Sequence, residues 1–146
     1  MNGSRLVTAS ALAAIAIACQ PAQAAGEDPL RFDGSWSVTL NCPAHHDDDD
    51  ARGYTHDFPA EIKGAALRGT HGSEGQPSWH LLTGDIAPDG TALLTLDGIV
   101  SNPAYAINNA HRGKPYSYRV DARFEPSSGA GQRLGKRRCS FSFKRR

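Results

Sequence analysis

The sequence predicts an all-β domain: a small antiparallel barrel of about seven to eight strands, closed by its first and last strands and by one disulfide. Three observations carry this. Short segments alternate apolar and polar residues with a period of two. No helical periodicity appears beyond the N-terminal segment, and one cysteine falls in the first predicted strand and one in the last. A two-sheet sandwich with the bridge between its sheets fits the same pattern and is the alternative.

Residues 1–24 read as an export signal. Arg5 and the terminal amine form a short positive region, Leu6 to Ala18 is apolar, and Ala22-Gln23-Ala24 supplies the small residues of a cleavage site. The apolar run falls short of the roughly 20 residues of a membrane-spanning helix, and no later segment reaches that length. Cleavage before Ala25 leaves one domain, residues 25–146, located in the periplasm or secreted. The run "AIAC" ending at Cys19 offers the alternative of a lipidated cysteine.

"WSVTLNC" places Trp36, Val38, Leu40 and Cys42 on one face of a first strand. "YTHDFPAEI" repeats the pattern with Tyr54, His56, Phe58, Ala60 and Ile62, and Pro59 marks an edge or a bulge. "LRGTHG" is a short third strand. "SWHLLTGDI" and "TALLTLDGI" flank "APDG", a turn that makes them a hairpin. "AYAINNAH" reads as either a short strand or a loop. "PYSYRVDARF" puts Tyr116, Tyr118, Val120, Ala122 and Phe124 on one side. The turn-rich "EPSSGAGQ" precedes a last strand, "RLGKRRCSFSF", in which Cys139, Phe141 and Phe143 share a face.

Loss of the signal removes Cys19 and leaves Cys42 and Cys139, an even pair in an exported chain and hence one expected disulfide. Two buried free thiols are the alternative. A bridge over so long a loop removes at most roughly 4–5 kcal/mol of unfolded-state freedom. It also brings the first and last strands together, as barrel closure requires.

The opening "FDGSWSVTLNC", followed by short strands, resembles uncharacterised exported bacterial small-barrel proteins that begin with an F-D-G-x-W strand. That resemblance covers most of the mature chain and implies fold and export but no activity. More distantly, Gly34-x-Trp36 on the first strand with Arg137 or Arg138 on the last is similar to lipocalin and avidin barrels. It implies a Trp at the closed end beneath a terminal-strand Arg. The chain departs from the avidins in carrying Val38 where they place Asn, so biotin binding is not implied. From the lipocalins it departs in its shorter length and in lacking a clear C-terminal helix.

Charge is segregated along the chain. Residues 26–100 carry 4 Lys or Arg against 13 Asp or Glu, and residues 101–146 carry 11 against 2. Antiparallel pairing of the first and last strands would bring Asp47, Asp48, Asp49 and Asp50 near Arg133, Lys136, Arg137 and Arg138. The segment "HHDDDD" is therefore expected to be a solvated acidic rim loop with basic neighbours inside the molecule. His45 and His46 are weak metal candidates, because adjacent residues seldom direct their side chains to one point. The run also lacks the alternating ligands and turn glycine of an EF-hand.

His56 shares the inward parity of Tyr54 and Phe58. With Tyr116 and Tyr118 it is a candidate ligand-cavity residue, core packing being the ordinary alternative. Arg119 points the other way. His71, His80 and His111 are scattered, and spacing assigns none of them as a ligand. The basic tail is attributed to solubility or to contact with an acidic envelope component, and no nucleic-acid partner is expected.

No nucleophile elbow, phosphate-cradling glycine loop or C-x-x-C occurs, so neither catalysis nor a cofactor is expected. The expectation is a monomeric, non-enzymatic binding protein that uses a barrel cavity or its rim loops. Its partner would be a small molecule or a basic envelope or extracellular protein. The alternatives are a proteinaceous inhibitor of an extracellular enzyme and, less favoured, divalent metal handling through the His/Asp loop.

Overall fold

The period-two segments form eight strands: β1 (Gly34–Cys42), β2 (Tyr54–Lys63), β3 (Ala66–His71), β4 (His80–Asp85), β5 (Thr91–Ile99), β6 (Pro115–Phe124), β7 (Ser128–Arg133) and β8 (Ser140–Arg145). The computed structural model describes residues 27–47 and 50–146. The expected signal segment, Cys19, Asp48 and Asp49 lie outside the described residues. Each strand pairs antiparallel with its neighbours in sequence, and β1 pairs with β8, closing a barrel in the order β1 to β8. This is the barrel of the sequence expectation and not the sandwich.

Closure follows from register. Trp36 pairs with Arg145 and Asn41 with Ser140. The Cys42–Cys139 disulfide extends that ladder by one position and links residues 97 apart in sequence. No helix among the described residues is long and apolar enough to cross a membrane. That and a disulfide are compatible with an extracellular or periplasmic location.

The eighth strand is not the one the sequence suggested. "AYAINNAH" forms two 3₁₀ turns, Pro103–Tyr105 and Ile107–Asn109, the first capped by the Asn102 side chain. The additional strand is β7, inside the glycine-rich segment read as a turn. Its inward positions are Gly129, Gly131 and Arg133. The glycines leave space for larger neighbours: a Cβ on Gly129 would meet the Phe124 ring at 3.0 Å, and one on Gly131 would meet Val120 Cγ1 at 3.1 Å. β8 begins after Cys139, so that cysteine lies just outside the strand it was assigned to.

One end of the barrel is filled. Phe32, Trp36, Phe124 and Phe143 are buried there. Trp36 and Phe124 meet edge to face at 5.7 Å, and Trp36 Nε1 donates to the Phe32 carbonyl at 2.9 Å. The arginine over Trp36 is Arg145, with its guanidinium 5.9 Å from the ring, and not Arg137 or Arg138. Arg145 also donates to the carbonyls of Arg31, Asp33 and Pro126, which ties the entry segment and the β6–β7 turn across the closed end. At the β4–β5 turn Gly90 has φ +88° and an added Cβ would overlap the Phe124 carbonyl, so glycine is required there.

Pro59 sits where the β2/β3 ladder stops, because pairing runs only from Lys63↔Ala66 to Ala60↔Gly69. From Pro59 back to Tyr54, β2 is paired with β1 alone. That stretch leads away from the filled end to the mouth.

Candidate functional site

The mouth is built by continuing the inward parity past the apolar layers. His71 pairs with His80, His80 with Gly98, and Gly98 with Tyr116, so one register layer crosses β3 to β6. Gly98 is small for a reason: a Cβ there would overlap the Tyr116 phenol, which lies over it. His56 enters from β2, across the interval where β2 and β3 make no backbone pairs.

Of these residues His56, His80 and Tyr116 line a cavity of about 480 Å³. Tyr54, His56, His80, Tyr116, Arg133 and Arg137 supply its polar wall, and Ile99, Val100, Ala106, Ile107 and Ala110 its apolar one. No carboxylate lines it among the described residues.

Arg137 organises the rim. It is 2% exposed and donates to the carbonyls of Tyr105 at 2.6 Å, Pro43 at 3.0 Å and Arg52 at 2.6 Å. Its guanidinium lies 5.1 Å from the Tyr54 ring centroid, and burial pulls its pKa below the ordinary value. Because the disulfide fixes Cys139 against Cys42, Arg137 is delivered to both flanks of the acidic loop. Arg52 N–H then donates to the Ala104 carbonyl at 2.8 Å, joining that loop to the 3₁₀ segment.

Arg137 binds the loop's carbonyls. Asp50 Oδ1 lies 3.1 Å from His46 Nδ1, within hydrogen-bond distance, and both side chains are exposed. Among the described residues no ion pair joins Asp47 or Asp50 to Arg133, Arg137 or Arg138. His45 and His46 diverge: His45 forms a bridge with Ala51 and buries its Nε2, whereas His46 faces solvent. Among the described residues the loop contributes no converging ligand set.

Three other histidines lie together where the cavity wall meets the core. The rings of His56, His71 and His80 stack nearly parallel, with centroids 4.2 Å (56–71), 4.6 Å (71–80) and 5.3 Å (56–80) apart. The Phe58 edge supports His80 at 4.9 Å on the core side. Burial, and secondarily the neighbouring imidazoles, pull the His80 pKa down to about 3 and lower that of His56. Burial also drives the phenols of Tyr116 and Tyr118 well above their ordinary range.

Several buried polar atoms here lack a protein partner: His56 Nδ1, His80 Nε2, Tyr118 Oη, Arg133 Nε and Arg137 Nε. Such groups cost about 1–3 kcal/mol each when left unsatisfied. The Arg133 guanidinium also lies 4.0 Å from the centroid of the Tyr118 ring.

The structure thus places the sequence candidates His56 and Tyr116 in the cavity wall, packs Tyr118 into the core behind it, which is the ordinary alternative, and leaves Asp47, Asp50 and His46 on the outer rim. It adds His71, His80, Arg133, Arg137 and Tyr54. Strand parity marked the inward positions of both added histidines, in "LRGTH" and "HLLTGD". Their pairing across the β3–β4 connection was the missing piece.

No protein-family model, no curated protein and no solved structure matches the chain.

Proposed function

We propose that this chain is an exported, non-enzymatic binding protein that takes a small organic anion with an apolar or aromatic body into the mouth of its barrel. The observation that carries this is the wall itself: buried donors without protein partners, two arginines, and no carboxylate among the described lining residues. A volume of about 480 Å³ lies within the usual range of small-molecule pockets. Tyr54, Tyr116 and the aliphatic side chains suit the ligand's apolar body, and the Arg133 guanidinium suits its charged group. Binding is favoured over catalysis because the sequence carries no nucleophile elbow, phosphate-cradling glycine loop or C-x-x-C.

Calorimetric titration of chelator-treated protein with aromatic carboxylates and their neutral amides tests this. Saturable binding of carboxylates over amides, weakened at least about tenfold by Arg133→Gln, is the expected result. Binding of neither class, or of both equally with no effect of Arg133→Gln, would refute it.

A further inference from the structure

We propose that His56, His71 and His80 form a three-imidazole site for a late first-row divalent cation, Zn²⁺ or Cu²⁺, where the cavity meets the core. One ring nitrogen of each lies within 4.8 Å of those of the other two. The three come from separate strands, the arrangement that lets ligands converge and that the adjacent pair His45 and His46 lacks.

The hydrogen bonding is that of ligands in waiting. His71 Nδ1 lies 3.0 Å from the Ser78 carbonyl, which only accepts, so Nδ1 carries the proton and Nε2 keeps its lone pair. A backbone carbonyl in that position is the usual outer partner of a metal-bound histidine. His56 Nδ1 and His80 Nε2 are buried with no partner to surrender.

A tetrahedral ion with bonds of about 2.1 Å lies in the plane of each ring and sets the nitrogens about 3.4 Å apart, so binding requires the nearly parallel rings to rotate out of their stack as well as to close in. Three neutral imidazoles with no oxygen donor favour zinc or copper and disfavour calcium and magnesium. The fourth position would face the cavity. The site rests on the imidazoles alone and stands whether or not the cavity takes an organic anion.

The test is calorimetric titration of chelator-treated, oxidised protein with ZnCl₂, CuCl₂ and CaCl₂. One equivalent of Zn²⁺ or Cu²⁺ and no Ca²⁺ should bind at micromolar protein. His71→Ala, at a half-buried position, should weaken that binding by at least the roughly 10–100-fold that loss of an outer-shell partner already causes. A His45→Ala/His46→Ala double variant should bind as the parent does. Electron paramagnetic resonance of the Cu²⁺-loaded parent requires no variant to fold, and hyperfine structure from three nitrogens is expected. Absence of saturable heat, affinity unmoved by His71→Ala, affinity lost in the His45/His46 variant, or coupling to fewer than three nitrogens would each overturn the proposal.

Discussion

Breaking the Cys42–Cys139 bridge should both destabilise the barrel and open its mouth. The bonded cysteines are 97 residues apart. In the chain-entropy treatment a loop of that size corresponds to about 4.7 kcal/mol at 25 °C. A domain of about 120 residues has an unfolding entropy near 0.25 kcal/mol/K, so the melting temperature should fall by roughly 15–20 °C. The free-energy loss of about 4.7 kcal/mol is roughly a third or more of the 5–15 kcal/mol typical of a folded domain.

The loss should also be local. Arg137 lies two residues before Cys139 and holds Pro43 and Arg52, so the rim should exchange amide hydrogens faster before the barrel unfolds globally. Urea unfolding of the oxidised protein, the reduced and alkylated protein and Cys42→Ser/Cys139→Ser, followed by near-ultraviolet circular dichroism, measures the effect. A midpoint that does not move on reduction would refute the role given to the disulfide. So would two thiols that alkylate without reductant.

Three further outcomes are expected. Arg137→Ala leaves three carbonyls without their donor and should cost about 2–4 kcal/mol, with exchange rising first at residues 44–47, 50–52 and 104–106; exchange unchanged there would count against the rim arrangement. Gly98→Ala forces the Tyr116 phenol off the strand and should cost about 1–3 kcal/mol and reduce binding of organic anions, whereas unaltered binding would show that the phenol does not shape the cavity. With chelator present, stability should fall on acidification through the window from pH 6.5 to about 3, because His80 titrates lower folded than unfolded and the unfolded chain binds the extra proton first. By pH 5 that amounts to about 2 kcal/mol; a His80→Leu variant with the same pH slope of urea midpoint as the parent would exclude His80 as the source.

Much of the fold was legible because seven strands carry large apolar residues at alternate positions, from Trp36 to Phe143. β7 was illegible for a physical reason. Its inward side chains are replaced by space for Phe124, Phe143 and Val120, so Gly129 and Gly131 read as turn residues. The disulfide followed from an even cysteine count in a chain read as exported, and it correctly joined the first strand to the approach to the last. Trp36 at the closed end was also legible. Its arginine was misplaced by eight positions or fewer, because both ends of the last segment are basic and only register distinguishes Arg145 from Arg137.

The candidate site was half visible. His56, Tyr116 and Tyr118 announced themselves by parity, whereas the histidine cluster depends on the β3–β4 register and on the early end of the β2/β3 ladder. Local spacing encodes neither. The loop that drew attention by composition, His45 to Asp50, holds no converging ligands among its described residues, since adjacent side chains diverge.

Whether the barrel holds a divalent cation at its histidine cluster or on its acidic rim is tested most directly by anomalous diffraction at the zinc edge from crystals grown with ZnCl₂. A peak about 2.1 Å from ring nitrogens of His56, His71 and His80 is the expected result. A peak on His45, His46 and the aspartates, or none at the cavity, would contradict it.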